Sequence, residues 1–228
     1  MYNLKNLDFI NLIVVSVIPL LILGPFLPDL IVSISALFFL YFIFKKKIFD
    51  YVLNKSTIIF ISFCIVAITS SLFSEKILFS LKGSLFYFRI WIFSLFIWFL
   101  IDKNKNIINY FYYSLIFCFS GLVVDGYFQF YYGENILGFE LIGTRISSFF
   151  GDELIMGSYL SRLFPLLFAF FLVKEKKKFE VYFIALLFIL TDVLIYMSGE
   201  RTAFFFLNLS TIFIILLIKE YQKFRLIT

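Results

Sequence analysis

Long apolar runs, separated by short polar segments, constrain this fold more than any other feature of the sequence. A helix that crosses a bilayer needs about 20 mostly apolar residues. The chain contains eight such stretches, near residues 8–25, 28–44, 56–73, 84–101, 106–125, 154–173, 180–197 and 202–218. They lack the alternation of a lipid-facing strand, which excludes a membrane barrel. The sequence therefore predicts an all-α, polytopic transmembrane helix bundle of about eight spans, with residues 1–228 as a single domain.

The composition agrees with burial in lipid. Of the 228 residues, 62% are hydrophobic, whereas a soluble domain of this size is about half apolar. No small-residue cleavage site follows the first run, so we expect it to be a retained span and not a signal peptide.

Basic residues are concentrated in every second connecting segment. KKKIFDYVLNK, DKNKN, KEKKKFE and the tail KEYQKFR, together with Lys5, hold 14 of the 20 lysines and arginines. Short cytoplasmic loops are enriched in these residues. The pattern predicts that both termini are cytoplasmic and that the longest outer loop is formed by residues 132–153. The net charge of +5 then reflects topology, and no nucleic-acid partner is predicted.

Ionisable side chains within the spans gather in the outer half of the bilayer. A rise of about 1.5 Å per residue places them within ~12 Å of the outer helix ends. Intramembrane charges are costly and usually face a cavity or a partner. One interpretation is a set of ion pairs between helices, with arginines that extend to the surface, and the other is a functional cavity that opens outward. The four residues are Arg89, Asp125, Arg162 and Asp192.

Two outer turns place arginines at the boundary between water and lipid. GTR contains Arg145 and SGERT contains Arg201. The planar guanidinium group stays charged and donates paired hydrogen bonds to phosphate. Asp125 and Gln129 share a helix face and could line the cavity or pair with Arg162. The predicted substrate-binding residues are Arg145, Arg201, Arg162, Asp152, Glu153 and Asp125.

Histidine is absent, which removes the commonest general base and the commonest transition-metal ligand. Cys64 and Cys118 both lie in apolar runs and are interpreted as small buried residues. No metal site and no cofactor are predicted.

Several segments together resemble the O-antigen ligase and O-antigen polymerase superfamily. They are GYFQFYYGENILGFE, TRISSFFGDELIMGSYLSRLFPLL and, one span later, SGERTAFFF. In that family an outer arginine precedes a phenylalanine-rich turn, a small-residue helix start and a Leu-Pro-Leu-like run. The next outer turn has a Ser-Gly-x-Arg-Thr/Gly-Ala pattern. The corresponding positions here are Arg145, Phe149–Phe150, Gly157–Ser158, Phe164–Leu166 and Ser198–Ala203.

The resemblance implies a multi-pass enzyme of the bacterial inner membrane whose site faces the periplasm. Such an enzyme transfers a glycan from undecaprenyl pyrophosphate to lipid A–core or to a growing glycan chain. Arg145 and Arg201 would then contact the donor pyrophosphate. No nucleotide sugar or metal is implied.

This chain differs from the family pattern in two respects. Family members usually have more spans and a large periplasmic loop, which in ligases contains a functional histidine. The expectation is therefore the front portion of a longer protein, a split gene product with a second-half partner chain, or a degenerate member. Two further alternatives are a non-catalytic membrane subunit that binds lipid-linked glycan and a transporter or flippase. No residue is assigned to the activation of the acceptor hydroxyl. Asp152 or Glu153 is a candidate to replace the histidine of the ligases in this role.

Overall fold

The structure is a computed structural model that describes residues 4–174, 178–218 and 224–225. Its described part is all-α. The helices are α1 (Leu4–Val15), α2 (Val17–Leu23), α3 (Phe26–Lys46), α4 (Lys55–Leu72), α5 (Ile77–Ser84), α6 (Phe88–Lys103), α7 (Asn106–Tyr132), α8 (Met156–Val173), α9 (Lys178–Met197) and α10 (Arg201–Leu217). Short 3₁₀ turns occupy Phe49–Tyr51 and Ser148–Phe150.

Six helical stretches of the described chain are long and apolar enough to cross a membrane, which indicates a multi-pass membrane protein. Two shorter apolar stretches, Asp8–Leu23 and Arg201–Leu217, correspond to the first and last predicted spans. The six long stretches are α3, α4, the α5–α6 segment Ile77–Lys103, α7, α8 and α9.

The chain divides into two compact units, which are described separately. Unit 1 comprises the described residues up to Leu21 and Pro25–Tyr110. Unit 2 comprises Ile22–Gly24 and the described residues from Phe111 onward. The assignment of the whole chain to a single domain stays a prediction.

Unit 1 is built on the packing of α3 along α6. The Phe39 ring lies 5.1 Å from that of Phe96 and 5.5 Å from that of Phe99, between ring centroids. Arg89 of α6 forms an ion pair with Asp29 of α3, with 2.6 Å between Nη2 and Oδ1. Of the two interpretations of the charges within the spans, an ion pair between helices is therefore the one that fits Arg89.

Unit 2 contains α8, α9 and α10, with α8 packed against both of the others. The Phe164 and Phe188 rings lie 4.8 Å apart between centroids. Asp192 also has an ionic partner, because its Oδ2 lies 2.7 Å from Nη1 of Arg225. The tail was predicted to be a cytoplasmic basic segment. Its residues 219–223 and 226–228 lie outside the described part. Arg225 is only 4% exposed and donates to Thr211 Oγ1, so this residue lies among the helices of unit 2 and not in a solvated cytoplasmic segment.

Two helix limits beside the outer segments differ from the predicted spans by several residues. The fifth span was predicted to end at residue 125, but α7 continues to Tyr132, where Gly133 adopts φ 86° and ends the helix. The span predicted at 84–101 is preceded by α5 and a break at residues 85–87. The outer loop consequently contains residues 133–155.

Candidate functional site

The outer loop of unit 2 is fixed by two buried side chains of α7. Asp125 and Gln129 both have 0% exposure and both face the loop, which confirms that they share a helix face. The Asp125 carboxylate accepts hydrogen bonds from Asn135 Nδ2 (3.2 Å), Ile136 N (3.0 Å) and Ser148 Oγ (2.6 Å). A buried carboxylate is stable only when its acceptors are filled. Since loop donors fill them, Asp125 positions the loop and is not paired with Arg162.

Gln129 fixes the second half of the loop. Its Oε1 accepts from the backbone N–H groups of Ser147 (3.1 Å) and Ser148 (2.7 Å). Its Nε2 donates to the carbonyl of Phe139 at 3.1 Å. A single amide therefore joins two separate stretches of the loop to α7.

Ser148 has a backbone conformation that is unusual for a residue with a side chain. Its φ is 51°, in the left-handed region. Strained residues of this kind persist where the surroundings impose them. Ser148 is held on three sides, by Gln129 at its N–H, by Asp125 at its hydroxyl and by Asn135 at its carbonyl. The loop is therefore a preformed element.

This loop places Arg145 against the turn between α9 and α10. Arg145 Nε donates to the carbonyl of Ser198 at 2.9 Å. Its side chain lies directly over Gly199, where an added Cβ would meet Nε at 3.0 Å and Cγ at 3.1 Å. Gly199 also has φ 68°, so glycine is needed at this position for both its conformation and its size. The two segments quoted for the family resemblance, TRISSFF and SGERT, are thus in contact.

Glu200 joins the same turn to the beginning of α8. Its carboxylate accepts from the Ser158 N–H, at 3.1 Å to Oε2 and 3.2 Å to Oε1, and from the Ser158 hydroxyl. The first N–H groups of a helix have no partner within the helix, and the residue before α8 supplies no side-chain cap. Glu200 is therefore an N-terminal cap of α8 contributed from 42 residues away, and its negative charge suits the helix dipole.

The turn approaches α8 closely because residue 157 is a glycine. An added Cβ at Gly157 would lie 2.3 Å from Ser198 Oγ, 2.9 Å from Glu200 Oε1 and 3.2 Å from Ala203 Cβ. No real Cβ tolerates the first two distances without a shift of its neighbours. The small residue at this helix start therefore permits the Glu200 contact.

Several charged groups of the predicted site remain without a partner in the described part of the chain. Arg145 uses only Nε, so both of its terminal nitrogens are unbonded there. Two further arginines are exposed and form no hydrogen bond or ion pair with any described residue. Arg201 lies in the first turn of α10, and Arg162 lies about 9 Å along α8 from Met156. The carboxylates of Asp152 and Glu153 are likewise exposed and unpaired.

The geometry brings together some of the predicted site residues. Arg145 lies on the turn that contains Arg201, whereas Asp125 is enclosed beneath the loop. The roles of Glu200 and Gly157 were not predicted, although both occur in the segments that resemble the family. The signal that could have indicated these roles is the pair of glycines, Gly157 in the first turn of α8 and Gly199 in the turn one span later. Small residues at both positions allow the turn and the helix to pack closely. No protein-family model, curated protein or solved structure matches the chain.

Proposed function

We propose that the chain binds an undecaprenyl-pyrophosphate-linked glycan and takes part in its transfer to lipid A–core or to a growing glycan chain. The observation that supports this function is the hydrogen bonding of Arg145. Its Nε donates to the turn that contains Arg201, and its two terminal nitrogens have no partner among the described residues. A preoriented guanidinium group suits a diphosphate, because it loses little freedom on binding.

The proposed setting is the bacterial inner membrane, with both termini in the cytoplasm and the arginines on the periplasmic side. The alternation of basic loops and the eight apolar stretches support this orientation. A test is cysteine labelling with a membrane-impermeant maleimide in the Cys64→Ser/Cys118→Ser background. A cysteine at exposed Leu137 should react from outside the cell, and one at exposed Lys105 should react only after permeabilisation. The reverse pattern would contradict the orientation.

The chemistry would be a displacement at the anomeric carbon of the donor sugar. An acceptor hydroxyl oxygen bonds to that carbon, the bond from carbon to the phosphate oxygen breaks, and undecaprenyl pyrophosphate leaves with the electron pair. Arginines would stabilise the negative charge that develops on the leaving group. The acceptor proton needs a base. Glu200 is committed to Ser158, whereas the exposed carboxylates of Asp152 and Glu153 remain candidates for this base.

A non-catalytic subunit is the second candidate function. The observation that favours it is the same commitment of Glu200, since the carboxylate that lies between the turn and α8 already accepts two hydrogen bonds from Ser158. In that case a partner chain would supply the group that activates the acceptor. Both candidate functions include donor binding by the arginines. A transfer assay with the purified chain alone distinguishes them, because only the catalytic candidate predicts glycan transfer.

Replacing Arg145 or Arg201 with alanine should weaken donor binding by about 10- to 100-fold, because each charge-assisted hydrogen bond contributes about 1.5–3 kcal/mol. The measurement is native mass spectrometry of the purified chain with undecaprenyl pyrophosphate and, for comparison, undecaprenyl monophosphate. Arg145→Lys should recover only part of the affinity, since lysine lacks the planar fork. Lys178→Ala, an exposed cation of the same unit, is the control.

Unchanged donor affinity in both alanine variants would refute the proposal. In cells, the same variants should lose long surface glycans while the glycan core stays intact. Accumulation of free lipid-linked polymer would identify a ligase and not a polymerase.

A further inference from the structure

We propose that unit 1 contains a separate binding site for an anionic phospholipid, at the break between α5 and α6. A cavity of about 510 Å³ lies there, lined by Lys82, Gly83, Phe86, Tyr87, Arg89 and Ile90. A second cavity of about 260 Å³ shares Phe86 and Arg89 with the first. The two cavities thus share the side chains of Phe86 and Arg89 as parts of their walls. The larger one is by itself in the volume range of ordinary ligand sites.

The first cavity offers cationic donors that lack acceptors. Lys82 is exposed and forms no hydrogen bond or ion pair among the described residues. Arg89 directs Nη1 to Asp29 (2.9 Å) and Ser33 (2.8 Å), and Nη2 to Asp29. Its Nε is buried and has no hydrogen-bond partner. The donor that a phosphate oxygen could reach in this cavity is the exposed ammonium group of Lys82, through a charge-assisted hydrogen bond.

The charges at this cavity favour an anion. Asp29 neutralises Arg89, so the ammonium group of Lys82 is the uncompensated charge beside the cavity. One net positive charge at the level of the lipid head groups matches the single negative charge of a phosphodiester. A zwitterionic lipid would place its own cation near Lys82 and lose this advantage.

The second cavity provides the apolar part of the site. It follows α3 along Ala36, Leu37 and Leu40, and Phe88 forms part of its wall. A free phosphate ion would occupy only the first cavity and would leave this one empty. An acyl chain would fill it and bury apolar surface at about 25 cal/mol per Å². A cavity beside a lysine, next to an apolar one with which it shares two wall residues, therefore points to an amphiphile with a phosphodiester head group.

This site is independent of the proposed donor site. It is built wholly from residues of unit 1, and neither Arg145 nor Arg201 lines it. Its failure in an experiment would leave the proposed function untouched, and the reverse also holds.

The test is native mass spectrometry of the purified, delipidated full chain with phosphatidylglycerol, phosphatidylcholine or inorganic phosphate. Phosphatidylglycerol should form a one-to-one complex, and Lys82→Gln should weaken it about tenfold through loss of a charge-assisted contact. Lys76→Gln is the matched control, because Lys76 is exposed in the same segment but lines neither cavity. Leu37→Gln, which places a polar side chain in the wall of the second cavity, should weaken chain binding as well.

Three results would overturn the inference. Equal weakening by Lys76→Gln and Lys82→Gln would indicate general attraction to anionic lipid. Equal affinity for phosphatidylcholine would show that the head-group charge is not recognised. Binding of inorganic phosphate with the same dependence on Lys82, together with no effect of Leu37→Gln, would identify a phosphate site without a lipid chain.

Discussion

Asp125→Ala should release the outer loop of unit 2 and cost about 2–5 kcal/mol of stability. The substitution removes a buried carboxylate that accepts three hydrogen bonds. It leaves the Ile136 N–H and the Ser148 hydroxyl without this acceptor, and Asn135 keeps only its bond to the Ser148 carbonyl. Ser148 would then lose the contact between its hydroxyl and α7, which helps to hold its left-handed backbone. The measurement is hydrogen exchange of residues 133–155 in the purified protein, together with the midpoint of thermal unfolding.

Asp152→Ala is the matched control, because the Asp152 carboxylate is exposed and has no partner in the described chain. It should leave both exchange and unfolding unchanged. Asp125→Asn should fall between the two, since one amide oxygen remains as an acceptor while the NH₂ group faces other donors. If Asp125→Ala left the loop as protected as in the wild type, the bonds to Asp125 would not be what orders it.

Gly157→Val should separate the SGERT turn from α8 and abolish whatever activity depends on the turn. The Cβ alone would lie 2.3 Å from Ser198 Oγ and 2.9 Å from Glu200 Oε1, so both side chains would have to move, and valine adds two further methyl groups. Overpacking of this kind costs about 1–3 kcal/mol, and the displaced Glu200 would leave the Ser158 N–H without its acceptor. The expected results are a lower unfolding midpoint and loss of donor binding.

Gly121→Ala provides the comparison for this substitution. Gly121 is also helical and lies in the same unit, but an added Cβ would meet only the Phe149 ring, at an ordinary 3.9 Å. Alanine should be neutral or slightly stabilising there, because it favours helix by about 0.5–1 kcal/mol over glycine. A tolerated Gly157→Val with normal donor binding would contradict the close packing of α8 on the turn.

The helical architecture could be predicted because bilayers impose it. Continuous apolar runs of spanning length leave the backbone no other partner, so α3, α4 and α7–α9 follow from composition and length alone. The end of α7 could not be predicted in this way. Residues between 125 and Tyr132 are polar enough to resemble a loop, yet Asp125 and Gln129 remain helical because the loop supplies their hydrogen-bond partners.

The candidate site was predictable only in its residue types. The order of Arg145 and the SGERT turn indicated a polar site on one side of the chain. The cap that Glu200 provides for Ser158 could not be predicted, because a hydrogen bond between residues 42 positions apart produces no repeating pattern in the sequence. The pairing of Asp192 with Arg225 was hidden for the same reason.

The cap on α8 also has a consequence during synthesis. Glu200 leaves the ribosome 42 residues after Ser158, which is about 2–8 s at ~5–20 residues per second. During that interval the helix start has no acceptor for its amide, and Arg145 has no Ser198 carbonyl to contact. A nascent chain stalled before Ser198 would therefore contain the outer loop but lack both the carbonyl that orients Arg145 and the carboxylate that caps α8.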